Sequence, residues 1–293
     1  MQAFIDFFTG ALNDFAWLYM FLPCVMVGGI LLTVRTKAVQ FSHFGYAMKN
    51  TVGKMFKKTE AGKGAVTPLQ AVTTALAATV GTGNIVGTSQ AIALGGYGAV
   101  FWLWVAALLG MVIKYSEVVL SIQYRQRDEK GDWVGGPMYY ISGIGPKWKW
   151  LAMVYAALAG IACFGIGNMS QVNAITDSIT NAITAFFTIN DSGITVIHWV
   201  IGLSLAALVA LILLGGIKRI GKVAEKLVPI MSVFYVLVCL GVIFSHAGNI
   251  GSAFAKIFTA AFSPRAVLGA ASGIALKEAL VWGLRRSAFS NEA

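Results

Sequence analysis

At one point in this chain, glycine, threonine and asparagine interrupt what should be a continuous apolar run. Residues 69–94 read LQAVTTALAATVGTGNIVGTSQAIAL, with Gly81-Thr82-Gly83-Asn84 near the middle. The stretch carries no charge, yet Ala, Thr and Gly outnumber Leu, Ile and Phe. Two glycines around a threonine oppose a continuing helix, each by about 1 kcal/mol relative to alanine. Backbone groups freed at membrane depth must find partners, so an unwound turn is tolerated only against protein or a wet cavity. A charge-free span broken at its centre is the sequence pattern of a binding site inside a membrane. Amides at a half-helix N-terminus there can hold a carboxylate, and unpaired carbonyls can coordinate a sodium ion. Close helix packing is the alternative, because Gly83 and Gly87 form a small-xxx-small pair. Packing alone leaves the amide of Asn84 unexplained.

Other residues with chemical potential resolve into plainer roles. Gly81, Gly83 and Gly87 give a GxGxxxG run, one residue too long for a dinucleotide fingerprint, and it follows a helix. Gly216, Gly221 and Lys222 have phosphate-loop spacing without its Ser/Thr, so residues 218–226 read as a cytoplasmic loop with anchoring lysines. HExxH and GxSxG are both absent from the sequence, and an enzyme ranks last among the readings. Cys24, Cys163 and Cys239 lie far apart in apolar runs, as core-filling residues do. His43, His198 and His246 read as interface-facing residues rather than ligands. Asn168, Gln171 and Asn173 sit in GIGNMSQVNAI. They either face a cavity, Gln171 foremost, or hydrogen-bond helix to helix. Lys114 and Glu117, three apart, read as a structural ion pair.

The elements that position these residues follow from composition. Of 293 residues, 57% are hydrophobic and 12% charged, and mean hydropathy is +0.74. A soluble domain has about 25% charged residues, so this is an integral membrane protein, all-α by its long apolar runs. Spans read at 15–34, as two within the charge-free residues 64–113 with a turn at Gly95-Gly96-Tyr97-Gly98, and at about 150–175, 194–214 and 227–246. A seventh starts near 268. The formal charge of +10 is a topology signal rather than a nucleic-acid footprint. Seventeen of the 22 lysines and arginines fall in 35–63, 114–149 and 218–226, whereas 1–14, 95–98 and 177–193 have none. The positive-inside rule then puts the basic segments in the cytoplasm and the N-terminus outside. Residues 39–58 mix aromatics and methionines with lysines, as an interfacial helix does.

The chain resembles the alanine/glycine:cation symporter (sodium:alanine symporter) family. The likeness rests on ALAATVGTGNIVG at 75–87, GGPMYYI at 135–141 and FSNEA at 289–293. It implies a LeuT-like fold of two inverted five-helix repeats, each opened by a broken helix. On that pattern 15–34 is an extra span, 35–66 a basic cytoplasmic loop with its interfacial helix, and 67–246 the first repeat. Residues 247–293 then hold an outer loop and the start of the second broken helix. The resemblance implies that amides around Gly81, Thr82, Gly83 and Asn84 hold a substrate carboxylate, that carbonyls near Ala77 and Val80 offer a sodium site, and that Gln171 faces the pocket. Phe289, Ser290 and Asn291 would supply the facing half of the site. The family's motif continues beyond FSNEA into Gly-x-Gly-Ser, so the sequence reads as the N-terminal part of a symporter, cut within that motif. Lys277, Glu278, Arg285 and Arg286 lie in the apolar stretch before it, either as functional charges or as one face of an amphipathic helix. Glu292 is a candidate structural cap or a partner for a substrate ammonium.

The reading is therefore secondary active symport of alanine or glycine with sodium in a plasma membrane of bacterial type. It needs no cofactor beyond the coupling ion. The partners are a small zwitterionic amino acid, sodium and the lipid bilayer, with no nucleic acid and no implied oligomeric state. A channel or structural membrane protein without coupling, or an inactive remnant, are the rivals.

Overall fold

Among the described residues a helix forms wherever the chain runs apolar, and several form where it does not; the span expected near 268 lies outside them. The structure, a computed structural model, describes residues 10, 12, 15–55, 67–81, 83–129, 131, 133–164 and 169–262. A π turn over Ala16–Phe21 leads into α1 (Leu22–Arg35), close to the expected span at 15–34. Lys37 and Ala38, both with positive φ, turn the chain into α2 (Val39–Ser42) and α3 (Phe44–Met55). These two cover residues 39–55 of the segment expected at the membrane interface, with Phe41, Phe44, Tyr46 and Met48 exposed. Next come α4 (Pro68–Thr79), a π turn over Gly83–Gly87 and α5 (Thr88–Gly95). Gly96, at φ +69°, makes the turn that an L side chain would strain, and α6 (Gly98–Gln123) follows. This helix runs on past Ile113, so Lys114 and Glu117 are helical and paired, Nζ to Oε2 at 2.9 Å.

A small hairpin then departs from the all-α pattern. Strand β1 (Gln126–Arg127) pairs antiparallel with β2 (Trp133–Val134). The guanidinium groups of Arg125 and Arg127 lie 4.1 and 4.6 Å from the centroid of the Trp133 ring, where its π face attracts cations. Gly135 and Gly136 lead into α7 (Pro137–Ile144), with proline in the first turn. This is the helix-entering turn expected of GGPMYYI. A 3-10 turn, Pro146–Trp148, joins it to α8 (Lys149–Phe164).

The remaining helices correct two expected boundaries. The span expected at 150–175 is described as α8 up to Phe164 and as α9 (Ser170–Thr184) from Ser170 on, and residues 165–168 lie outside the described residues. The outer segment expected at 177–193 begins inside α9. That helix is amphipathic, with Thr176 and Thr180 buried and Asn173, Asp177 and Asn181 exposed, so a search for apolar runs ends too early. After α10 (Asp191–Leu213), the expected basic loop 218–226 is instead the first part of α11 (Gly216–Ser245). Lysine and arginine are good helix formers, and Gly221, Ala224 and Val228 give this part a buried face. A 3-10 turn at Ala247–Asn249 precedes α12 (Ile250–Phe262).

Three described helices are long and apolar enough to cross a membrane: Gly98–Gln123, Asp191–Leu213 and Arg219–Ser245. Tyr19–Arg35 is shorter and apolar. Large hydrophobic side chains such as Leu203, Leu211, Phe234 and Leu237 stand exposed along α10 and α11, the surface of a protein whose solvent is lipid.

Contacts divide the chain into two units. In the first, residues 1–53, 79–120 and 234–293, α6 packs against α1 and α12. A Cβ on Gly29 would lie 2.8 Å from Leu109 Cβ. Phe101 meets Phe258 and Phe262 at ring distances of 5.7 and 4.7 Å. Beside these rings α12 comes so close that a Cβ on Gly98 would lie 2.8 Å from the Ala260 carbonyl oxygen. In the second, residues 54–78 and 121–233, Gly221 of α11 lies against Gln70 of α4. Thr73 is fully buried there, its hydroxyl donating to the Leu69 carbonyl at 2.8 Å.

Candidate functional site

The interrupted stretch at 67–95 is built from both ends by polar side chains. At its start Thr67 and Gln70 form a reciprocal cap. Gln70 N donates to Thr67 Oγ1, and Thr67 N donates to Gln70 Oε1, both at 3.2 Å. This T-x-x-Q pattern satisfies two of the N–H groups that every helix start leaves open, and it was legible in the sequence but not singled out. Gln70 Nε2 also donates to Glu225 Oε2 of α11 at 3.1 Å, so one side chain caps α4 and fastens it to a second helix.

The helix stops at Thr79, and Val80 and Gly81 form a bend. Asn84 then reaches back: its Nδ2 donates to the Thr79 carbonyl at 2.8 Å, and its backbone N–H donates to the Gly81 carbonyl at 3.1 Å. Thr88 Oγ1 donates in turn to the Asn84 carbonyl at 2.8 Å. The mid-span amide that packing did not explain is thus a bridge across the break, giving a partner to the Thr79 carbonyl at the end of α4.

Close packing also occurs, one step further along. Gly87, Ala91 and Gly95, four apart, are all buried, which makes α5 a small-residue stripe. Ala91 and Ala99 form a core against which Trp102 and Leu103 pack. The described residues thus show a bend at Val80 and Gly81 and, from Gly87 onward, a face of small buried residues.

Of the residues expected to bind, Val80, Gly81, Gly83 and Asn84 lie together in the first unit at or beside the break. Ala77 is exposed in the last turn of α4, in the second unit. Helix C-terminal carbonyls carry a partial negative charge and helix N-terminal amides a partial positive one, so a break between two half-helices presents one of each. Gln171 is half-buried in the first turn of α9, also in the second unit. Asn173 is exposed and donates to Asp177 on its own helix at 3.1 Å, rather than to a second helix, one of the two roles expected of it. Thr82, Asn168, Phe289, Ser290 and Asn291 lie outside the described residues, as do Lys277, Glu278, Arg285, Arg286 and Glu292.

Comparison with known proteins decides the family of the chain. The sequence model described as the sodium:alanine symporter family matches residues 1–293. The chain belongs to the sodium:alanine symporter family. The sodium/alanine symporter AgcS of Methanococcus maripaludis is 40% identical over 291 residues, covering 97% of this chain and 60% of its own. The amino-acid carrier protein AlsT of Bacillus subtilis is 36% identical over the whole chain and 58% of its own. The same organism's "Probable sodium/glutamine symporter GlnT" is 34% identical, again over the whole chain, and 57% of its own. This sodium:alanine symporter family member therefore spans about three fifths of the length of these relatives.

Proposed function

We propose that the protein couples movement of a small neutral amino acid, alanine or glycine, to sodium. The observation that carries this is the bend at Val80 and Gly81 after α4, bridged by Asn84, in a charge-free stretch. On this reading the amides around Thr82 and Gly83 receive the carboxylate, and the carbonyls near Ala77 and Val80 receive the ion. Gln171, Phe289, Ser290 and Asn291 complete the pocket. Cation and zwitterion would then stabilise the same unwound segment, so each raises the affinity for the other. Alanine and glycine lining suits a small side chain. The names of the relatives support sodium coupling, and GlnT makes glutamine the competitor to include.

The same reading places the chain within a LeuT-like inverted-repeat fold, in a plasma membrane of bacterial type, with its N-terminus outside. Support for the orientation is the segregation of basic residues to alternate segments.

The test uses the whole protein that carries this chain, reconstituted in proteoliposomes. An inward sodium gradient should accumulate labelled alanine above its outside concentration, and Gly83→Leu should abolish this while leaving the protein in the membrane. Equilibration without a gradient would point to a channel instead. Uptake undiminished in G83L would remove the break from the mechanism.

A further inference from the structure

Helix α11 begins as a basic amphipathic helix and continues as an apolar span. Ala224 and Val228 are turned inward, 7% and 2% exposed, while Leu227 and Ile230 are 60% and 72% exposed. Lys222 and Lys226, one turn apart, project on the open side with them. Between this face and the start of α4 lies an open groove of about 660 Å³, lined by Gln70, Lys222, Glu225, Lys226, Leu227 and Ile230.

The depth of the groove follows from the sequence of α11. From Leu227 to Ser245 it has nineteen residues without a charge. At 1.5 Å per residue these extend about 28 Å, against about 30 Å of hydrocarbon in a bilayer. The apolar part fills the hydrocarbon core, and Lys222 and Lys226 stand at the level of the phosphates. Leu227 follows Lys226 directly and Ile230 lies one turn deeper, so the two side chains lead from the phosphate level to the first methylenes. The groove carries two ammonium groups and one carboxylate. The carboxylate is already held by Gln70 Nε2 at 3.1 Å, so the net charge of +1 is presented by the lysines.

We propose that this groove binds one anionic phospholipid of the phosphatidylglycerol type. Its phosphodiester sits between Lys222 and Lys226, its glycerol hydroxyls face the Glu225 carboxylate, and one acyl chain follows Leu227 and Ile230. A single phosphodiester neutralises the groove. An ethanolamine headgroup adds a cation and leaves the positive charge uncancelled, and inorganic phosphate has nothing to lay on the two aliphatic side chains. Basic pockets between helices at the cytoplasmic side of a membrane are the places where acidic headgroups collect.

The experiment titrates the whole protein, purified in neutral detergent, with radiolabelled phosphatidylglycerol. Phosphatidylethanolamine and inorganic phosphate are the competitors. We expect retained lipid that neither competitor displaces at tenfold excess. K222Q/K226Q should weaken binding about 25-fold, roughly fivefold for each lysine at an anionic surface. K222R/K226R should keep the affinity, and K147Q/K149Q, at other exposed lysines, should leave it unchanged. Wild-type affinity in K222Q/K226Q overturns the proposal, as does equal displacement by phosphatidylethanolamine. Displacement by phosphate shows a simple anion site and overturns the lipid. Should the double variant fail to fold, K222Q and K226Q are read singly, each expected at about fivefold, and wild-type affinity in both overturns the site.

Discussion

The Asn84 bridge gives the sharpest test of how the interrupted helix is held. Replacing Asn84 with alanine removes the donor to the Thr79 carbonyl and leaves that half-buried oxygen without this partner. At 2.8 Å the bond is near the short end of the N–H···O range. Such a bond is worth about 0.5–1.5 kcal/mol net, and interhelical hydrogen bonds in membrane bundles average about 0.6 kcal/mol with a maximum near 1.7. About 1 kcal/mol is therefore the expected loss for N84A, or about 2–4 °C in the thermal midpoint of a chain this large. N84D at neutral pH should fall lower still, because it sets a carboxylate oxygen against the carbonyl. Acidification should recover part of that deficit, since a protonated carboxyl can donate again. The assay is unfolding in one detergent at one scan rate, followed by tryptophan fluorescence for wild type, N84A and N84D. A midpoint for N84A within 1 °C of wild type, with N84D no lower, would refute the bridge as a structural element.

Two further substitutions probe the packing around it. Gly98→Ala drives a Cβ to within 2.8 Å of the Ala260 carbonyl oxygen. It should cost about 1–3 kcal/mol as overpacking against backbone, whereas Gly202→Ala, with nothing within 4 Å inside α10, should not lower the same thermal midpoint and should raise it by the equivalent of up to about 1 kcal/mol of helix propensity. Gln70→Leu removes both the cap on Thr67 and the bond to Glu225. It should cost about 1–2 kcal/mol, while Glu225→Gln keeps a neutral acceptor for Gln70 and should be close to neutral in the same measurement.

Much of this architecture was readable from the sequence because a membrane imposes a blunt rule. An apolar run must be helical, so α1, the break after Thr79, the turn at Gly95-Gly96-Tyr97-Gly98 and the long α6 all announce themselves. Lys114 and Glu117 pair as their spacing says. Polar segments were less legible. Helix α9 hides its buried threonines among Asn and Asp, and the basic start of α11 looks like a loop until its buried face is counted. The hairpin of β1 and β2 offers only two residues per strand, too few for an alternating pattern, and is held by two arginines stacked on one tryptophan. At the candidate site, the glycines marked the break, but the role of Asn84 required a distance. The pairing of Gln70 with Glu225 joins residues 155 apart, which no local pattern encodes.

That separation has a consequence in time. A ribosome adding about 5–20 residues per second needs roughly 8–30 s to proceed from Gln70 to Glu225. Throughout that interval the nascent α4 exists without the helix that will fasten it. Its first turn must persist on local means alone, and the cap with Thr67 is the local means present. The same glutamine therefore serves two epochs in the life of the chain: first as a splint for a newly made helix, and later as the clasp that closes once α11 arrives.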